Sequence, residues 1–194
     1  EKVCSPWQGV LGHLGEMRSP TQYPLAKDIV RWQGEPVAVV VANKRAVAED
    51  ASELVEIDYE DLDAQLDMET AMDKSTKVIH DDLGNNLFWT RTVNQGDVSE
   101  AFKQSHIVEE VTLDFARHTG VTLETRAIVA DWDSSEEKMT VYHNGQAPHM
   151  MQSIIAKHLN ISEGLVRIIS CDVGGSFGIK VHVYPDEMVT VAVS

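Results

Sequence analysis

The residues best suited to chemistry lie close to the end of the chain. The run Asp172-Val173-Gly174-Gly175-Ser176-Phe177-Gly178-Ile179-Lys180 follows an apolar strand pattern and places three glycines within five residues. Glycine carries no Cβ, so backbone N–H groups in such a turn can come close to a ligand and present fixed donors to it. Gln146 ends another strand pattern, just before a helix signal at Pro148, and its amide can donate to an oxo group or accept from a hydroxyl. The spacing is not the G-x-G-x-x-G of a dinucleotide fold, and no Gly-Lys-Ser/Thr follows for a phosphate loop. A glycine-rich turn alone serves many purposes. Its pairing with Gln146 and with the stretches flanking both gives it a specific meaning.

Other reactive side chains point elsewhere. His118, His143 and His149 share no i, i+4 pairing and have no cysteine partner, so they read as surface or hydrogen-bonded core residues and no metal-ligand set is expected. His182, two residues after Lys180, would line the approach to the glycine turn. Glu124 and Arg126 alternate along a strand pattern, so both point one way, toward solvent or a pairing partner, and they read as structural ion pairing. Met150 and Met151 read as helix packing, and Trp32 and Trp132 as packing residues at strand ends. Cys4 and Cys171 lie in no metal spacing and read as free thiols of a reducing cytoplasm.

The elements that must position the turn can be read from periodicity. Residues 1–29 are broken by Gly9, Gly12, Gly15, Pro6, Pro20 and Pro24 and read as loop, running along another part of a larger protein. Strands are expected at 29–32, at 37–42 and, by strict alternation, at 55–60, with a helix over 44–55 that has Asn43 as N-cap. This makes a small α/β unit whose partner strands lie upstream. After the turn cluster at 81–86, Asp97 caps a helix, accepting from the N3 amide while Glu100 reaches back to the cap. Strands are expected at 107–115, 127–132 and 139–142, the last two joined by a polar hairpin loop at 133–137. A helix begins at Pro148 with Met151, Ile154, Ile155 and Leu159 on one face, and a strand at 166–173 runs into the glycine turn. The domain boundary falls near His80, dividing the chain into 1–79 and 80–194.

Composition narrows the classes. The chain has 194 residues, 43% of them hydrophobic and 24% charged, enough for one sizeable core or two small ones. Its net charge of -15 argues against binding nucleic acid or an anionic membrane surface, and the acidic run at 58–73 reads as a solvated linker face. No apolar run approaches the roughly 20 residues of a membrane span, and no signal-like segment opens the sequence. A cytoplasmic protein is expected.

Three stretches, in order, resemble the large subunit of the xanthine dehydrogenase, aldehyde oxidase and carbon monoxide dehydrogenase family of molybdenum hydroxylases. The first is the segment from Val30 to Ala42 with Ala48-Glu49-Asp50-Ala51 and Val55-Glu56-Ile57-Asp58-Tyr59-Glu60. The second is Gly96-Asp97-Val98 through Phe102, with Leu123-Glu124-Thr125-Arg126 and Ala130-Asp131-Trp132-Asp133. The third is Gln146-Ala147-Pro148-His149 with the glycine turn. Ser176 stands where a third glycine is common, Thr125 where proline is common, and Ile179 where a small residue is often found. The Gln-Ala-Pro-His and Leu-Glu-Thr forms are similar to the carbon monoxide dehydrogenase-like branch.

The resemblance implies an α+β fold: the closing part of an α/β-hammerhead domain over 1–79, then the first lobe of the molybdenum-cofactor-binding region over 80–194. It implies a molybdenum–molybdopterin cofactor in the cytosine dinucleotide form, with iron–sulfur and FAD centres on partner subunits or domains. Hydroxylation of an aldehyde, N-heterocycle or related small molecule by a molybdenum-bound hydroxyl would follow, electrons leaving through iron–sulfur centres to flavin. Gln146 would hydrogen-bond an oxygen on molybdenum or the adjacent pterin as the catalytic residue of this stretch. Phe177 and Gly178 would bring backbone amides to the metal centre, with Gly174 and Gly175 keeping the turn tight. The family's glutamate base lies beyond Ser194, so the chain is expected to be an internal fragment, inactive alone. Two other readings stay open: a non-catalytic folding or interaction module, and a module holding only the phosphate end of a pterin nucleotide.

Overall fold

The computed structural model describes residues 3–9 and 14–194. The loop reading for residues 1–2 and 10–13, including Gly12, lies outside the described residues. The fold is α+β. A short ribbon joins β1 (Trp7–Gln8) to β2 (Thr21–Gln22), with Trp7 opposite Gln22. Helices α1 (Arg45–Ser52) and α2 (Val98–Gln104) follow, separated by a single 3-10 turn at Asp81–Leu83. The ordered centre is a three-stranded sheet, β3 (Ile128–Asp133), β4 (Lys138–His143) and β5 (Val166–Ile169), packed against α3 (Pro148–Leu159) and α4 (Pro185–Val193).

The hairpin β3–β4 forms because both strands alternate and the loop between them supplies its own turn chemistry. Asp133 Oδ1 accepts from the amides of Ser135 at 2.8 Å and Glu136 at 3.2 Å, and Glu137 takes a positive φ of 52°. Met139, Val141 and His143 point inward from β4. Next, β5 pairs with β4 in parallel, Met139 opposite Val166, so the chain must cross over, and α3 is that crossover. Pro148 sits in its first turn, where no N–H is required, and Asn160 ends it with φ 55°. The helix buries Met151, Ile155 and Ala156, with Ile154 and Leu159 packed at the core's edge, as the helical period predicts. Met188 and Val191 of α4 close the other side.

The start of the chain docks on this unit. Cys4 and Trp7 are buried in the same core, the Ser5 amide donates to the His158 carbonyl at 2.8 Å, and Trp7 meets the His158 ring edge-on. Cys171 is exposed and both thiols are free. Burial raises the Cys4 thiol pKa, which keeps it protonated.

Four expected strands form no ladder among the described residues: 29–32, 37–42, 55–60 and 107–115. Their alternation is real, but a strand exists only where a neighbour takes its backbone hydrogen bonds. Many of their apolar residues stay exposed, including Val41, Tyr59, Val111, Leu113 and Phe115. Lys44, not Asn43, occupies the N-cap of α1, and no side chain caps it. At α2 Asp97 accepts from the Glu100 amide at 2.9 Å as expected. The Glu100 carboxylate reaches forward instead, accepting from Gln104 and pairing with Lys103. The strand before Gln146 ends at His143, and the one before the glycine turn ends at Ile169.

Candidate active site

Because β4 and β5 run in parallel, both deliver their following loops to the same edge of the sheet. Gln146 follows β4 and the glycine turn follows β5. This is the edge where open α/β sheets commonly bind ligands. The two loops touch. Ser176 Oγ donates a hydrogen bond to Gln146 Oε1, and the Gln146 amide donates to the Lys180 carbonyl at 3.1 Å. Ser170, just past β5, donates to the Gly145 carbonyl at 3.1 Å.

The turn has two parts. Gly174 must be glycine because its missing Cβ would stand 2.5 Å from the Glu124 Cβ. Residues 176–179 form a turn closed by the Ile179 amide donating to Ser176 O at 3.0 Å, and its central residues, Phe177 and Gly178, have φ of 50° and 89°. Positive φ at both central positions is the type I′ arrangement, one that an aromatic residue rarely adopts. The ring of Phe177 is 78% exposed. Around the space a Gly178 side chain would fill there is nothing within 4 Å.

Donors at this edge without an acceptor among the described residues include the amides of Phe177 and Gly178 and, with Gln146 Oε1 occupied by Ser176, Gln146 Nε2. A set made only of neutral N–H donors around an open space suits an oxygen-rich, anionic group. Ser176, a departure from the commoner glycine, thus bridges the two loops.

The segment just before β3 holds the turn from below. Glu124 Oε2 accepts from Lys180 Nζ at 2.6 Å and from the Gly174 amide at 2.7 Å. The Lys180 side chain is only 1% exposed, so its ammonium depends on that carboxylate. Hydrogen bonds from Lys180 and then from Gly174 hold the Glu124 carboxyl below its ordinary pKa. Two residues on, Arg126 pairs with Glu187 and Asp186, each at 2.9 Å, and lies 3.8 Å over the Tyr184 ring. Burial works against the Arg126 charge, but the bonds to Asp186 and Glu187 outweigh it and raise its pKa. Burial, opposed by Arg126, raises the Tyr184 phenol, whose hydroxyl donates to the Ile179 carbonyl. Glu187 also contacts His143 Nε2 at 3.2 Å, while His143 Nδ1 is buried with no hydrogen-bond partner among the described residues.

The structure therefore brings Gln146, Gly174, Gly175, Phe177 and Gly178 into one place. The sequence alone leaves the partners of Glu124 and Arg126 open. It assigns no role to Ser176, Tyr184 or Glu187; the alternation of Glu124 with Arg126 is the available signal. His118 and His149 lie apart, and the described residues hold no cluster of three or more metal-ligating side chains. His182 stacks edge-on against Tyr184 and lines a separate groove of about 550 Å³ that Trp7, Tyr23, Trp32 and Met150 also line. That groove does not include the glycine turn.

The sequence model of the molybdopterin cofactor-binding domain matches residues 79–194, more than half of the chain. The chain belongs to the molybdenum hydroxylase family of xanthine dehydrogenase and aldehyde oxidase. The family's α/β-hammerhead domain matches residues 8–63, so a hammerhead domain precedes the cofactor-binding domain. The chain is 36% identical to the nicotine 6-hydroxylase large subunit of Paenarthrobacter nicotinovorans over 84% of its length, and covers 20% of that protein. It is 29% identical to the carbon monoxide dehydrogenase large chain of Hydrogenophaga pseudoflava over 88% of its length, covering 23% of that chain. The crystal structure of quinoline 2-oxidoreductase from Pseudomonas putida 86 superposes with a TM-score of 0.87 at 28% identity, covering 97% of this chain and 24% of that one. The chain thus spans about a fifth to a quarter of these relatives. As a member of the family, the chain carries a molybdopterin cofactor-binding domain over residues 79–194.

Proposed function

We propose that the chain forms one wall of the active site of a hydroxylase or dehydrogenase that oxidises an aldehyde, an N-heterocycle or a related small molecule. The observation that carries this reading is a group of donors without acceptors among the described residues, Gln146 Nε2 and the amides of Phe177 and Gly178 among them, around open space at one edge of a parallel strand pair. These residues fit a molybdenum–molybdopterin group, for which we favour the cytosine dinucleotide form. When bound, that group supplies the two-electron redox chemistry of the hydroxylation. Gln146 would orient an oxygen of the cofactor by donating from Nε2, its other end fixed by Ser176. Phe177 and Gly178 would hold the group through their amides, while Gly174 and Gly175 let the turn fold tightly.

The catalytic base, iron–sulfur centres and FAD belong, in this reading, to other parts of the enzyme or to partner subunits, and the isolated chain is inactive. Relatives named as single subunits of larger assemblies support this, among them a 6-hydroxypseudooxynicotine dehydrogenase complex subunit at 36% identity. We place the domain boundary between residues 79 and 80, which the separate family matches at 8–63 and 79–194 support. A cytoplasmic location agrees with the free thiols.

The test is Gln146→Ala in the complete subunit. Removing one preorganised donor should lower kcat by roughly 10²-fold, while the exposed side chain's loss moves stability by less than about 0.5 kcal/mol. Near-parental turnover in a fully metallated variant would remove Gln146 from the site.

A further inference from the structure

We propose that Glu124 and Lys180 are positioning residues, an ion-paired clamp that sets where the Phe177 and Gly178 amides point. This rests on the reading of the turn as the cofactor's cradle.

Glu124 grips the turn at both ends with one oxygen. Its Oε2 takes the Gly174 amide at the turn's entry and Lys180 Nζ at its exit, at 2.7 and 2.6 Å. Between these two points lie the residues whose amides are free. The exit is pinned twice more, by the Gln146 amide on the Lys180 carbonyl and by the Tyr184 hydroxyl on the Ile179 carbonyl. Glu124 is itself held: Thr122 Oγ1 donates to its carbonyl at 2.6 Å, and Asn144 Nδ2 donates to the Thr125 carbonyl at 2.7 Å. Asn144 stands two residues before Gln146, so one short segment references both loops of the site. The turn needs such a frame. A type I′ arrangement with phenylalanine in the left-handed region is strained and persists only where the surroundings enforce it. Lys180 does not face the open edge. Its ammonium is enclosed behind the turn, which suits a support rather than a group touching the reacting atoms.

Glu124→Gln keeps the shape and one acceptor but loses the charge opposite Lys180. Glu124→Ala loses both grips. In the complete subunit with its partners, hydrogen exchange of the peptide spanning 173–181 reads the turn directly through the bonded amides of Gly174, Gly175, Ile179 and Lys180. We expect Glu124→Ala to speed that exchange by about tenfold or more and Glu124→Gln to fall between, while α3 exchanges as in the parent. Because small misplacements of oriented groups are penalised steeply, kcat should fall by about 10- to 100-fold in the same order. KM should stay within about twofold, and the Mo(V) electron paramagnetic resonance signal should change. Unchanged turn exchange in either folded variant would overturn the clamp. Faster exchange with parental kcat and Mo(V) signal would overturn its positioning role and leave a structural one. A parent without molybdenum would sink the cofactor reading instead, and exchange alone would then decide the clamp. Glu124→Gln keeps the question open to measurement if Glu124→Ala fails to fold.

Discussion

Gly145 illustrates how closely single residues are fitted around the site. A Cβ there would lie 2.2 Å from the His143 ring, and that ring is buried against Glu187. Gly145→Ala must push the imidazole out of its contact, and it should destabilise the fold by about 1–3 kcal/mol. Gly164→Ala, where the nearest atom is Ser162 Oγ at 3.9 Å, should change stability by less than about 0.5 kcal/mol. Urea denaturation of the two variants side by side measures both, and equal midpoints would contradict the packing described here. At this scale the sequence was legible where chemistry is local. Gln146 and the glycines stand out by residue type, and the structure sets their two loops in contact. The Glu124–Lys180 pair does not stand out, because its members stand 56 residues apart and nothing in either neighbourhood names the other.

Elements were legible in proportion to how far away their partners lie. The β3–β4 hairpin closes over a few residues, and α3 carries its own start, stop and apolar face, so both follow from local patterns. Residues 107–115 alternate as clearly, yet they form no ladder among the described residues, because strand pairing is non-local and alternation states a preference without supplying a neighbour. The contrast has an energetic consequence. Ile155 is fully buried between α3 and the sheet, so Ile155→Ala should cost about 2–5 kcal/mol. Phe115 is 79% exposed, and Phe115→Ala should shift the stability of this chain by less than about 0.5 kcal/mol. Thermal or urea unfolding of the chain separates the two, and a large loss for Phe115→Ala would show that 107–115 packs.

For the whole molecule, order of motifs carried more than any motif alone. A glycine turn is common, but a turn after a parallel strand, facing a glutamine after the neighbouring strand, is a specific arrangement. The resemblance in three ordered stretches led to the same family that the domain matches establish. The net charge of -15 bears on partners rather than on the fold, and no helix among the described residues is long and apolar enough to cross a membrane. The substrate was not legible. The donors at the turn are generic to an oxygen-rich cofactor, and the chain spans about a fifth to a quarter of the relatives it matches.

Whether this edge holds the cofactor decides the function proposed for the chain. The most direct measurement is molybdenum and oxidised-pterin content, per folded protein, of the complete subunit and of its Gly178→Val variant. A side chain at Gly178 meets no protein atom within 4 Å and would enter the space assigned to the ligand, and at φ 89° it also strains the turn that presents the amides. Near-stoichiometric molybdenum and pterin in the parent, with both depleted in Gly178→Val, is the result expected. A parent empty of both in a host that makes the cofactor, or a fully loaded Gly178→Val, would contradict it.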